Sequence, residues 1–224
     1  MAPRPPPDGA PKPTDPALHA RLRAQAPRTW QRMLSGRRLN LIDPSPIDIE
    51  IIDIALGLSR NTRWNGQTIG AHGWSVAQHS LLVSAIVADR LGAQADPRLV
   101  MTALLHDASE YVTHDLITPL KAAVGDVFKE LEDRLMCAVH LRFGLPARPA
   151  PEVKALIKTA DWIAGATEAV QLAGFTAREV KSVLGIAEKP LRDVTLVPLP
   201  VAEAQARFLE AFHRLEAAME SSSR

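Results

Sequence analysis

Residues 104–116, LLHDASEYVTHDL, constrain this chain more than any other stretch. Leu104 and Leu105 end an apolar helical run, and His106, Asp107, Glu110, His114 and Asp115 follow at once. A helix that ends inside a fold is a poor place for so many ionisable groups. A buried charge costs several kcal/mol unless it is paired or bound to a metal. Any fold must therefore bring compensating groups from elsewhere in the chain to this helix end. A metal site or an acid–base site meets that demand. An exposed polar helix end with one satisfied histidine is the plainer alternative.

The rest of the chain reads as helices. Asp43-Pro44-Ser45-Pro46 predicts a turn and a helix start, with Ser45 as N-cap and Pro46 at the first helical position. Ile47, Ile51, Ile54, Ala55 and Leu58 then recur at helical spacing over 46–60. Ser75 caps a helix over 75–91, and His79 lies on its apolar stripe with Val76 and Val83. Further helices are predicted over 98–106, 127–143, 152–173 and 201–219, the last with Phe208 and Phe212 on one side. TLVPL (195–199) predicts a short extended segment. Asn61 to Trp74 predicts a loop, yet it carries Arg63-Trp64. That pair either pins the loop to the core, or holds an anionic group and stacks on a flat ring. His72 and His114 are expected to be solvent-exposed.

The fold class is therefore expected to be all-α, a single helical bundle over 38–224. Its motif region spans 38–173, and a helical extension follows over 175–224. Seven of the eighteen prolines fall within the first sixteen residues, and an arginine-rich stretch follows them. Residues 1–37 are expected to form a disordered extension.

Several function classes are excluded. A formal net charge of +1 lacks the basic excess that a polymeric nucleic-acid partner usually demands. The lone cysteine, Cys137, permits no internal disulfide and sits in a helical apolar pattern, which fits a small core residue in a reducing compartment. The sequence contains neither an apolar run of about 18 residues nor a signal-peptide core, so no membrane partner and a cytoplasmic location are expected. It contains no Gly-rich phosphate loop and no GxGxxG.

Three predicted helices each direct ligand-type side chains inward: His79, the pair His106-Asp107, and Asp161. Asp161 shares an apolar face with Val153, Ile157 and Ala164, where a carboxylate needs a partner. Two imidazoles and two carboxylates suit one divalent metal ion, with positions left for water and substrate.

The H…HD…D order of His79, His106-Asp107 and Asp161 resembles the HD-domain metal-dependent phosphohydrolases. The closer resemblance is to the bacterial 5′-deoxynucleotidase branch, the YfbR-like proteins. It rests on Arg63-Trp64 ahead of the first histidine, VxxHS at 76–80, and LLHDASE…DLxTPxK from Leu104 to Lys121. It implies an HD-type helical bundle and a homodimer. It also implies a small-nucleotide substrate and one divalent metal (Co, Mn, Zn, Fe, Ni or Mg) on His79, His106, Asp107 and Asp161. Glu110 and Asp115 would be the catalytic carboxylates, and Arg63 and Trp64 would contact the nucleotide. Independently of the resemblance, the cationic side chains of Lys121 and Arg63 are candidates to bind substrate by balancing phosphate charge. The reaction expected is hydrolysis of a deoxynucleoside 5′-monophosphate. The loop over 65–78 departs from the family pattern, which leaves dNTP triphosphohydrolysis, or hydrolysis of another small phosphate ester, as the alternative. A silent metal-binding helical module is the non-enzymatic one.

Overall fold

The computed structural model describes residues 28–222, together with Ala20 and Ala24. The proline-rich segment 1–16 and the arginines at 21 and 23 lie outside the described residues. Order begins earlier than residue 38. Strands β1 (Trp30–Arg32) and β2 (Arg38–Asn40) form an antiparallel hairpin, with Trp30 opposite Asn40 and Gly36 turning the chain at φ +94°. Leu39, fully buried in the main core, anchors it, and Trp30 adds an aromatic face. The guanidiniums of Arg38, Arg28 and Arg32 lie 4.8, 5.7 and 5.8 Å from its ring, so the arginine-rich stretch folds onto an aromatic face.

The remaining elements are helical, as expected of an all-α bundle. The predicted helix over 46–60 is split. Pro46–Asp48 makes one 3-10 turn, Ile49 and Glu50 are extended, and α1 runs Ile51–Arg60. The Ser45 side chain caps nothing. Extending the chain at Ile49 places that side chain, fully buried, in the core, while Arg142 Nε donates to its carbonyl at 2.8 Å. Helix α2 (Val76–Leu91) starts where expected, with Ser75 Oγ accepting from Gln78 N at 3.2 Å. Asp96 caps α3 (Pro97–Leu104), with Pro97 at its first position.

Short helices α4 (Glu110–Thr113) and α5 (Thr118–Val124) lead into α6 (Asp126–Arg142) and the long α7 (Pro151–Gln171). A capping box between Thr176 and Glu179 starts α8 (Ala177–Ser182), and α9 (Val201–Ser222) follows. Residues 194–199 form neither helix nor strand. Two glutamines bind this strap instead. Gln171 takes Leu196 N and donates to Val194 O; Gln78 takes Leu199 N and donates to Val197 O.

The main core gathers Leu39, Ile54, Leu58 and Leu104 around Phe208 and Phe212 of α9, both essentially fully buried. A second cluster joins α2 and α7 through Val83, Val87, Ile157 and Ala164. Helix α1 also touches α4 closely. A Cβ at Gly57 would lie 2.6 Å from the Tyr111 carbonyl oxygen, a distance only glycine allows, and Tyr111 follows Glu110 directly. Among the described residues, no helix is long and apolar enough to cross a membrane.

Candidate metal centre

Four elements converge on one point. Helix α2 contributes His79, the end of α3 contributes His106 and Asp107, α7 contributes Asp161, and the loop before α2 contributes Arg63. His79 Nε2 lies 3.3 Å from Asp161 Oδ1 and 3.5 Å from Asp107 Oδ2, and His106 Nε2 lies 3.2 Å from that same Oδ2. The two imidazole centroids are 5.2 Å apart. The ligand atoms of His79, His106 and Asp107 fall within 4.8 Å of one another.

Both imidazoles are held in the same sense. His106 Nδ1 meets the Ala103 carbonyl at 2.9 Å, and His79 Nδ1 meets Glu168 Oε1 at 2.6 Å. When each imidazole is neutral with its proton on Nδ1, its Nε2 lone pair faces the carboxylates. Those two buried Nε2 atoms have no hydrogen-bond partner. Paired imidazole nitrogens backed by Nδ1 acceptors, beside two carboxylates, fit a divalent cation.

Glu168 is the residue that the sequence reading missed. Its carboxylate is fully exposed to the protein interior and to no solvent, and it accepts from His79, from Arg63 Nε at 2.8 Å and from Trp64 Nε1 at 3.1 Å. Burial pushes its pKa up, but Arg63 and His79 outweigh that and hold it at about 2. A signal was available: Asp161, Ala164 and Glu168 are spaced three and four apart, so both acids share one face of α7. At His79, burial and Arg63 work to lower the pKa, yet Glu168 and Asp161 raise it to about 10. Asp107 lies well below the ordinary carboxylate range. Burial opposes this, and His106 and His79 cause it. Asp161 is lowered in the same way, with His79 the main cause against burial.

The catalytic candidates stand beside this cluster. Arg63 NH1 is 3.9 Å from both Asp107 Oδ2 and Asp115 Oδ2. Glu110 is buried, with Lys121 Nζ 3.3 Å from Oε1 and no partner on Oε2. Burial, then the charges of Asp107 and Asp115, push its pKa up to about 9. The structure thus brings Arg63, Glu110, Asp115 and Lys121 together with the four ligand candidates.

Trp64 sits among the contacts that anchor its loop. Its indole N–H is committed to Glu168, and its ring packs 5.8 Å from Phe175 in a cluster with Ala166, Ala169 and Val180. Its placement supports pinning of the loop rather than stacking on a base. Trp64 and Asn65 adopt left-handed backbone, φ +58° and +50°, a conformation bulky residues rarely adopt without a compensating contact. His72 and His114 are exposed, and Cys137 is buried.

A family model described as "5′-deoxynucleotidase YfbR-like" matches residues 54–173. The chain belongs to this family. It is 52% identical over 194 residues to an uncharacterized protein of Rhodobacter capsulatus, covering 84% of this chain and 96% of the relative. It is also 34% identical over 185 residues to the uncharacterized protein YfdR of Escherichia coli, covering 82% of this chain and 94% of that one. The matched stretch begins in α1 and ends just after α7, and so takes in Arg63, Trp64, His79, His106, Asp107, Glu110, Asp115, Lys121, Asp161 and Glu168. The family's description points to a nucleotide phosphohydrolase.

Proposed function

We propose that the protein is a metal-dependent phosphomonoesterase that converts deoxynucleoside 5′-monophosphates to deoxynucleosides and phosphate. The observation that carries this reading is the pair of unpartnered Nε2 atoms on His79 and His106, set among Asp107 and Asp161 with Glu110, Asp115 and Arg63 alongside. A site built only to hold a metal has no use for the last three. The family's description supports a deoxynucleotide as the substrate.

His79, His106, Asp107 and Asp161 would hold one divalent ion. When bound, that ion screens phosphoryl charge and lowers the pKa of a water from 15.7 towards roughly 7. Arg63 NH1 lies between the ligand carboxylate Asp107 and Asp115, where it balances phosphate charge. Glu168 fixes that guanidinium from behind, through Nε. Lys121 supplies a second cation and occupies Glu110 Oε1, leaving Oε2 to carry a proton. Glu110 and Asp115 divide the two proton transfers, one from the attacking water and one to the departing 5′ oxygen. Burial of His79 and Glu168 keeps water away from the rear of the site and strengthens each charge interaction there.

Product identification by chromatography tests the reading, using dNMPs, NMPs and dNTPs with added Mn²⁺, Co²⁺ or Mg²⁺. Deoxynucleoside and phosphate are expected from dNMPs, and an Asp107→Ala variant is expected to form neither. Triphosphate released from dNTPs would reassign the reaction to triphosphohydrolysis. Metal binding without any turnover would reduce the protein to a metal-stabilised binding module.

A further inference from the structure

Charge in this chain is nearly balanced overall but not locally. From Pro16 to Ile42 the sequence carries six arginines and no lysine, aspartate or glutamate. The net charge of +1 therefore hides a strongly basic stretch. Its described part builds the β1–β2 hairpin, in which Gln31 stands opposite Leu39 and Arg32 opposite Arg38. Leu39 is fully buried in the main core, so strand alternation turns Trp30, Arg32 and Arg38 to the outer face.

That outer face is unfavourable for the protein alone. Like charges directly opposite one another destabilise a strand pair, and Arg28 brings a third guanidinium to the same indole. Among the described residues no carboxylate pairs with Arg28, Arg32 or Arg38, whereas Arg37 in the turn meets Glu50 at 2.6 Å. Arg32 gives one bond to the Gly36 carbonyl at 3.0 Å. The indole thus gathers three guanidiniums whose remaining N–H groups can serve anionic oxygens, and arginine suits phosphate better than lysine does.

The tip of the hairpin adds a second, apolar observation. Leu34 is 81% exposed, and Ser35 beside it donates to Asp53 Oδ1 at 3.0 Å, next to the exposed Ile52. Arginines with an exposed leucine at a turn match the headgroup region of a bilayer, where phosphates meet the cations and the apolar side chain leaves water. Other polyanions fit this face less well. Guanidiniums already cover the Trp30 ring, so a nucleic-acid base has no platform to stack on, and neither a phosphodiester backbone nor peptide carboxylates would cover Leu34.

We propose that the outer face of the β1–β2 hairpin docks reversibly on an anionic phospholipid surface. Arg28, Arg32 and Arg38 bind headgroup phosphates, and Leu34 enters the interface. Docking of this kind uses no membrane-spanning helix. The inference is independent of the reaction proposed for the metal centre.

Co-sedimentation of the full chain with vesicles tests this, using phosphatidylcholine alone and equal parts phosphatidylcholine and phosphatidylglycerol. Binding is expected on the anionic vesicles alone, and should weaken as added salt screens the charges. Replacing Arg28, Arg32 and Arg38 together by glutamine should weaken it about 100-fold, at about fivefold per arginine. Leu34→Ser keeps every charge and should weaken it about 3–10-fold through lost apolar burial. Thermal melts accompany each variant; if the triple variant melts lower than wild type, Leu34→Ser decides, because so exposed a side chain contributes little to the fold. Absence of binding to anionic vesicles overturns the inference, as does undiminished binding in the triple variant or in Leu34→Ser. Single-stranded DNA or polyglutamate held more tightly than the vesicles, and released by the triple substitution, would overturn the lipid assignment and make this face a nucleic-acid or protein contact.

Discussion

Substituting Glu168 with glutamine should weaken the fold and the metal centre together. The carboxylate accepts from His79 Nδ1 at 2.6 Å, Arg63 Nε at 2.8 Å and Trp64 Nε1 at 3.1 Å, with no exposure to solvent. Its pKa is held at about 2, against an ordinary 4.5. A carboxyl lowered on folding stabilises the native state above its unfolded pKa, and loses that contribution as pH falls from about 4.5 towards 2. At pH 7 the contribution is therefore complete, and the gap corresponds to roughly 3 kcal/mol. Glutamine keeps the volume but not the charge, and it turns an N–H towards one of three donors. At about 2–4 °C per kcal/mol for a chain of this size, Tm of the metal-free variant should fall by roughly 6–12 °C at pH 7. His79 also loses the acceptor that orients its ring, so metal affinity should fall about 10–100-fold. Thermal melts and Co²⁺ competition titrations against a chelator measure the two effects separately. A Tm within 2 °C of wild type (roughly the value of one surface interaction), with affinity unchanged within twofold, would refute the reasoning.

Three further outcomes follow from the same geometry. Gly57→Ala places a methyl group 2.6 Å from the Tyr111 carbonyl oxygen, so α1 must retreat from α4 at a cost of about 2 kcal/mol; an unchanged urea midpoint would count against that close approach. Metal affinity should rise about tenfold per pH unit between pH 6 and 9, because His79, raised to about 10 in the metal-free chain, must release its proton on binding. A flat profile in chelator competition would contradict this. Glu110→Gln should lower kcat about 100-fold or more, yet stabilise the metal-free protein. A carboxyl raised to about 9 favours the fold only below its unfolded pKa of about 4.5, and that advantage is lost as pH rises. The variant should therefore melt higher than wild type at pH 8 and equally at pH 4; the reverse trend would sink the assignment.

The helices were legible because their apolar positions recur at a fixed period, and the ligand candidates because ionisable groups on those faces demand partners. What escaped was decided by distant contacts. Glu168 looks like an ordinary helix residue until Arg63, 105 positions earlier, is brought against it. Trp64 could be read as a base-stacking residue because nothing local to it foretells Phe175 or Glu168. The break at Ile49 and Glu50 interrupts a good helical pattern because Arg142 draws out one carbonyl and the core takes one isoleucine. The hairpin at 30–40 is too short for alternation to register, and it is held by distant contacts: Leu39 buried in the main core, Ser35 donating to Asp53 and Arg37 to Glu50. The strap at 194–199 owes its place to the glutamines that bind it, Gln78 and Gln171, which nothing in its own sequence foretells.

Phe208 and Phe212 bring α9 into the main core, so that core cannot close during synthesis until α9 has left the ribosome. During synthesis α1, α2 and α3 would expose the surface that α9 later covers. The histidines and carboxylates of the centre leave the ribosome on a scaffold that has not yet set. The proposed metal site would therefore take its final geometry late in the life of the nascent chain. Truncation before residue 208 should yield a species that binds chaperones, not a smaller version of the native centre.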